Sequence, residues 1–93
     1  MDNYIIVPDG SMNFETISEF KRSLRWGAEI EFIWNKITYG VVRYGTNKIT
    51  IYQANRPETE KVCDTADDAL EYMLGDDRLR NVVTKVKVVS RTI

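Results

Sequence analysis

The sequence predicts a single small α+β domain, in which two helices pack on one face of an antiparallel sheet of three to five strands. A length of 93 residues suits one domain. The apolar residues change from a helical period to a period of two and back, and short turn sequences separate the alternating segments. We therefore expect one domain over residues 1–93, with residues 1–13 forming an N-terminal arm or a short strand.

The first third of the chain predicts a short strand followed by a helix. Residues 4–7 are apolar, and the Pro-Asp-Gly at residues 8–10 has the composition of a turn. Gly27 suits the left-handed residue that follows a helix. Before it, apolar residues recur every three or four positions and so share one helical face: Phe14, Ile17, Phe20 and Leu24. The candidate N-caps are Ser11, Asn13 and Thr16, the last with Glu19 at the spacing of a capping box.

The middle of the chain predicts three strands joined by short turns. Residues 30–34 alternate between apolar and other side chains, as a half-buried strand does. Asn35-Lys36 is a candidate two-residue turn, because Asn tolerates the positive φ of tight hairpins. A second strand is expected over residues 37–44, a turn over 45–47 and a third strand over 48–53. Together these segments form an antiparallel meander.

The last third of the chain predicts an edge strand, a helix and a closing strand. Pro57 is expected to interrupt the chain before a fourth, edge-like strand at residues 58–63. Residues 64–75 predict the second helix, capped by residue 64 or 65 and ended by a glycine. One further helical turn is expected within residues 76–83, and alternating valines predict a final strand over 84–89.

The composition excludes several kinds of function. The chain contains no His and a single Cys, Cys63, which removes histidine general bases, histidine metal ligands and intrachain disulfides. We expect Cys63 to be a small buried or edge residue, and we expect no catalytic residue, cofactor or metal. No stretch approaches the roughly 18–20 apolar residues of a membrane span, and no signal peptide is evident. The sequence therefore predicts a cytoplasmic protein.

Aromatic residues are concentrated between the first helix and the third strand. On the alternating strand, Phe32 and Trp34 are expected to face the helices and enter the core. Tyr39 and Tyr44 are separated by five residues, so they cannot both face inward on a regular strand. One of these two tyrosines is therefore expected to be exposed, where it suits a protein interface or a stacked base.

Two segments resemble those of a known group of proteins. Residues 20–35 have the pattern F-K-x-x-L-x-x-G-x-E-I-E-F-x-W-N followed by Tyr39, and residues 64–70 have the sequence D-T-A-D-D-A-L. Both are similar to small, mostly uncharacterised phage and prophage proteins of Gram-positive bacteria. The resemblance implies a bacterial host cell, where several small phage proteins, anti-CRISPR inhibitors among them, bind a host protein. Residues 4–10 and Arg56-Pro57 depart from the pattern, and it carries no catalytic residues.

Charge is divided unevenly along the chain. Residues 58–77 carry a net charge of −7, residues 78–93 carry +5, and the rest carry +1, which leaves a formal net charge of −1. In one interpretation the acidic residues cap and solvate the second helix, and the closing strand supplies compensating charge. In the other they form an acidic face that competes with nucleic-acid phosphates for a basic groove.

We predict a non-enzymatic protein that binds a host protein with a basic surface, for example a nucleic-acid-processing defence enzyme, as a monomer or a homodimer. The predicted partner-binding residues are Glu58, Glu60, Asp64, Asp67, Asp68, Glu71, Asp76 and Asp77. A second hypothesis is nucleic-acid binding through Arg43, Tyr44, Lys48 and the basic C-terminal strand. A third is a self-assembling phage structural protein that uses an open sheet edge.

Overall fold

A computed structural model describes residues 4–6, 12–44 and 48–92 of the chain. The described residues form an α+β fold, as predicted, with one main antiparallel sheet, a small hairpin and three short helices. The main sheet contains five longer strands and a three-residue strand at one edge. The turns predicted at residues 8–10 and 45–47 lie outside the described residues.

The elements follow one another along the chain as β1 (Tyr4–Ile6), α1 (Ile17–Arg25), β2 (Ile30–Trp34), β3 (Ile37–Tyr44), β4 (Lys48–Gln53), β5 (Arg56–Cys63), α2 (Ala66–Ala69), β6 (Met73–Leu74), β7 (Asp77–Arg78), α3 (Leu79–Val82) and β8 (Lys87–Thr92). The strand order in the main sheet is β1-β8-β2-β3-β4-β5, and β6 pairs with β7 in a separate hairpin. None of the helices in the described part of the chain is long and apolar enough to cross a membrane.

Helix α1 starts after Thr16, one of the three candidate caps, and ends just before Gly27, as predicted. The Thr16 hydroxyl accepts a hydrogen bond from the Glu19 N–H at 3.1 Å and so caps the helix. The Glu19 carboxylate accepts from the Glu15 N–H at 2.7 Å, one residue before the position of a standard capping box. After the helix, Gly27 adopts a φ of 84°, which a residue with a Cβ rarely takes.

Two-residue hairpin turns join β2 to β3 and β4 to β5, and the residues that flank each turn are paired. Asn35 and Lys36 both have positive φ, 51° and 69°, as the predicted hairpin turn requires. The turn between β4 and β5 was not predicted, and it contains Asn55 at a φ of 64°. Strand β5 therefore begins at Arg56, and Pro57 lies inside it instead of interrupting the chain before it. An edge strand tolerates proline because one side of its backbone needs no partner.

The predicted second helix over residues 64–75 is wrong in length. Helix α2 spans only Ala66–Ala69, and residues 73–74 belong to a hairpin whose turn contains Gly75 at a φ of 69°. The carbonyl of Leu70 accepts from the Arg80 N–H, and that of Tyr72 accepts from the Leu79 N–H, both at 2.8 Å. A continuing helix would need these carbonyls for its own hydrogen bonds, so the bonds from Leu79 and Arg80 are incompatible with helix α2 extending through residue 75.

The closing strand starts later than the sequence predicts. Val86 and Val88 are buried, as their alternation with lysines indicates, but the Val86 N–H still bonds to the Val82 carbonyl. Strand pairing thus begins at residue 87 and extends to residue 92, between β1 and β2. The register of its pairing with β2 shifts by one residue between Glu31, which pairs with Ser90, and Phe32, which pairs with Val88.

One hydrophobic core contains side chains from the sheet and from all three helices. Phe32 and Tyr39 face each other across β2 and β3 with ring centroids 5.4 Å apart, and both are buried. Trp34, also expected in the core, is partly buried and packs against it. The helical residues in this core are Phe20, Leu24, Ala69, Leu79 and Val82. Of the two tyrosines compared above, Tyr39 is the buried one described, and the side chain of Tyr44 lies outside the described residues.

Gly40 and Tyr52 form a tight pair on the sheet. They are opposite each other on β3 and β4, and a Cβ built on Gly40 would lie 2.5 Å from the Tyr52 ring. Any side chain at position 40 would therefore push this ring away.

We expect Gly40→Ala to lower the free energy of unfolding by about 0.5–1.5 kcal/mol, because the added Cβ forces the half-buried Tyr52 ring away from its rotamer. In a Tyr52→Ala background the same change should be neutral or stabilising, since alanine loses less backbone entropy than glycine on folding. A double-mutant cycle by urea denaturation measures both values. Equal destabilisation in the two backgrounds would contradict the steric explanation.

Candidate protein-binding surface

The acidic residues predicted to bind a partner lie on three parts of the structure. These are the edge strand β5 with the residue after it, the short helix α2 with its following turn, and the β6–β7 hairpin. In chain order the three groups are Glu58, Glu60 and Asp64, then Asp67, Asp68 and Glu71, then Asp76 and Asp77. Most of them are exposed, but their contacts differ.

Arg80 joins two of these acidic residues. Its guanidinium lies 2.8 Å from the Glu71 carboxylate and 3.5 Å from that of Asp67. Arg78 also contacts Glu71 at 3.3 Å, and Lys21 of α1 contacts Asp67 at 3.1 Å. The hydrogen bond from Lys21 and the nearby Arg80 hold the pKa of Asp67 below its usual value. Asp67 and Glu71 therefore form ion pairs within the fold.

Three further members of the predicted site have partners in the chain. Lys48 forms an ion pair with Asp64, and Arg56 forms one with Glu58 at 2.8 Å. Asp77 accepts a hydrogen bond from the Trp34 indole N–H at 2.9 Å in a partly buried position. This bond links the β6–β7 hairpin to the end of β2.

Glu60, Asp68 and Asp76 remain exposed and form no ion pair within the described part of the chain. Glu60 is on the edge strand two residues before Val62, whose side chain is 57% exposed. Asp68 is on α2, which contacts β4 and β5. Of the eight predicted carboxylates, these three are therefore the ones most available to a partner.

Three of the cations predicted to bind nucleic acid form contacts within the fold. The Arg43 guanidinium donates to the carbonyls of Leu24 and Arg25 at 3.1 and 2.8 Å, which satisfies the C-terminal end of α1. Lys48 is paired with Asp64, as described above. On β8, Arg91 contacts the Glu19 carboxylate at 3.2 Å and stacks over the Phe14 ring at 4.5 Å.

An exposed tryptophan is the feature that the sequence analysis missed. Trp26 is 69% exposed, the highest value among the large apolar side chains described. At 100° per residue, Trp26 and Arg22 project away from the side of α1 that carries the buried Phe20 and Leu24. The helical periodicity of the sequence contained this signal, because Phe20 and Leu24 already defined the core side.

A groove of about 340 Å³ lies between α1, the β3–β4 hairpin and the start of α2. Its walls include Lys21, Arg25, Arg43, Asp64 and Asp67, so both signs of charge are present. Cys63 is outside this lining and only 3% exposed, and burial raises the pKa of its thiol. The described residues contain no cluster of three potential metal ligands. The groove thus offers charged side chains of both signs to a ligand.

Comparison of the chain with protein-family models, with curated proteins and with solved structures gives no match. The resemblance to phage and prophage proteins, and the role that it implies, therefore stay predictions.

Asp77→Ala is expected to lower the free energy of unfolding by about 1–3 kcal/mol, because it leaves the Trp34 indole N–H without its acceptor. Asp77→Asn, which retains an oxygen acceptor, should cost less. Asp76→Ala is the matched control, since this exposed neighbour should change stability by no more than about 0.5 kcal/mol. Guanidinium denaturation measures all three variants, and similar losses at residues 76 and 77 would contradict a role for the indole bond.

The contacts of the Glu19 carboxylate should make the stability of the fold depend on pH. A hydrogen bond from the Glu15 N–H, together with Arg91, holds the pKa of Glu19 below its ordinary value of 4.5. Its ionised form therefore stabilises the fold above the unfolded-state pKa, and this contribution is lost as the pH falls through the lower folded-state pKa. Thermal unfolding of Glu19→Gln should differ most from wild type near neutral pH and converge with it in acid. Glu60→Gln, at an exposed carboxylate, is the control; an offset for Glu19→Gln that is the same at every pH would contradict the linkage.

Proposed function

We propose that this chain is a non-enzymatic protein that binds a basic surface of another protein through exposed carboxylates around β5 and α2. The observation that supports it best is the division of the acidic residues. Asp67 and Glu71 are paired inside the fold, whereas Glu60 and Asp68 are left exposed and unpaired within the described residues. The phage setting implied by the resemblance adds the role of an inhibitor or accessory factor in a bacterial host cell.

In this proposal α1 and α2 cover one face of the sheet and leave the β5 edge accessible. The buried Phe20, Leu24 and Ala69 on these helices support that arrangement. Strand β5 carries Pro57 and several charged residues, a composition that opposes pairing with the edge of another sheet. The partner therefore contacts side chains of this edge, with the exposed Val62 adding apolar area beside Glu60.

The contact is a local one between a few carboxylates and a basic patch. The pairs of Asp67 and Glu71 with Arg80 reduce the negative field around α2, so the proposed surface is smaller than the −7 segment indicates. Opposite charges on the two proteins would speed their encounter and make binding weaken as salt is added. Occupation of a basic nucleic-acid groove in the partner would inhibit it by competition.

We expect the double variant Glu60→Lys/Asp68→Lys to lose a protein partner that the wild-type chain retains. The test uses the full chain as bait in lysates of Gram-positive bacteria, with mass spectrometry of the retained proteins. Glu15→Lys/Glu29→Lys is the matched control, because it makes the same change in net charge at exposed residues elsewhere. Asp67 and Glu71 are left intact, since reversing them would also break the contacts with Arg80.

The retained protein should be released progressively by added salt, and a nucleic acid should compete with it. Equal retention by wild type and the Glu60/Asp68 variant would contradict the proposed surface. A shift of bare oligonucleotide by the wild-type chain at low salt would instead favour direct nucleic-acid binding.

A further inference from the structure

We propose that the outward side of α1 is a second docking site, for an acidic segment of a partner protein that carries one apolar side chain. This surface, called here the α1 outer surface, consists of Ser18, Arg22, Arg25 and Trp26. It includes none of the carboxylates of β5 and α2, and its charge is opposite to theirs, so it goes beyond the function proposed above.

The position of these residues follows from the helix geometry. Phe20 and Leu24 are fully buried, which fixes the core side of α1. Residues 25 and 26 follow residue 22 by three and four positions, so the three lie next to one another away from the core side, and Arg25 also borders the groove toward α2. Trp26 is 69% exposed there. An aromatic side chain of this size buries about 150–250 Å² when it is covered.

Two guanidinium groups on this surface form no ion pair or hydrogen bond with the described residues, although Arg22 is close enough to Glu19 to help lower the pKa of that carboxyl. Neither an ion pair nor a hydrogen bond of the side chains of Arg22 and Arg25 occurs among the described residues. The neighbouring Lys21, in contrast, is paired with Asp67. Arg22 and Arg25 are thus available to carboxylates from outside, and arginine binds carboxylates with charge-assisted hydrogen bonds.

A small cleft lies beside Trp26. It has a volume of about 130 Å³ and is lined by Glu19, Arg22, Ser23, Trp26 and Arg91. An apolar cavity of about 150 Å³ holds a benzene molecule, so this cleft has room for one apolar side chain. Among the described residues, Nη1 of Arg91 is a buried donor without an acceptor, which gives the cleft lining an unsatisfied polar group.

The composition of this surface favours a protein over a nucleic acid. Tryptophan and arginine are the side chains that most often dominate the energy of protein interfaces. Nucleic-acid binding depends on several phosphate contacts, and among the described residues this surface offers only two arginines without an ion pair, Arg22 and Arg25. The occupant is therefore a peptide segment whose carboxylates pair with Arg22 and Arg25 while one aliphatic side chain enters the cleft.

The probe is a short synthetic peptide rich in Asp and Glu with a central Leu, and the readout is tryptophan fluorescence of the full chain. We expect a saturable blue shift as the peptide covers Trp26, and no such shift in Trp26→Phe, which keeps Trp34. Arg22→Glu/Arg25→Glu should weaken binding about 30-fold, the size of a strong interface contact. Lys85→Glu/Lys87→Glu is the matched control, because both lysines are exposed and the change in net charge is the same.

Each of the other outcomes would overturn the proposal. These are an unchanged emission spectrum with the peptide at millimolar concentration, or equal weakening by the Arg22/Arg25 and Lys85/Lys87 variants. Displacement of the peptide by lower concentrations of single-stranded oligonucleotide would assign the surface to nucleic acid. A Trp26 shift on concentrating the chain alone would assign it to a second copy. If Glu60 and Asp68 bind no partner, peptide binding by the α1 outer surface is still expected, so the two proposals are tested independently.

Discussion

The position of β8 inside the main sheet is the constraint on which the other elements depend. This late strand pairs with β1 on one side and with β2 on the other, so the first and the central strands are joined only through it. It also makes contacts beyond the sheet: the Val88 N–H bonds to the Asn13 side chain, and Arg91 pairs with Glu19. These contacts join residues 75 and 72 positions apart. The entropy cost of closing such long loops must be overcome before the contacts form.

The parts of the fold that the sequence predicts well are those decided by local chemistry. The Thr16 cap, Gly27 and the Asn35-Lys36 turn each depend on residues within a few positions, and α1 and β2 to β4 agree with the expected bounds. The second helix was overextended because its end is set by bonds from α3 to the carbonyls of Leu70 and Tyr72. No periodicity in residues 64–75 contains that information.

The candidate surfaces show the same division between local and distant causes. A count of charges along residues 58–77 cannot reveal that Asp67 and Glu71 meet Arg80, or that Asp77 accepts from Trp34 on a distant strand. The exposed Trp26, by contrast, follows from the helical face that Phe20 and Leu24 define. Segment charge is therefore a weaker guide to which side chains are exposed and unpaired than the side of a helix on which a residue lies.

The buried Cys63 at the end of β5 makes the sheet edge observable in solution. Its thiol is 3% exposed and next to the start of α2, so a thiol-reactive reagent can reach it only when this edge opens. As the one cysteine of the chain, it gives a labelling rate that belongs to a single site. When the edge recloses faster than the thiol reacts, the labelling rate is proportional to the population of the open edge. The chain thus contains its own reporter of opening at the end of β5.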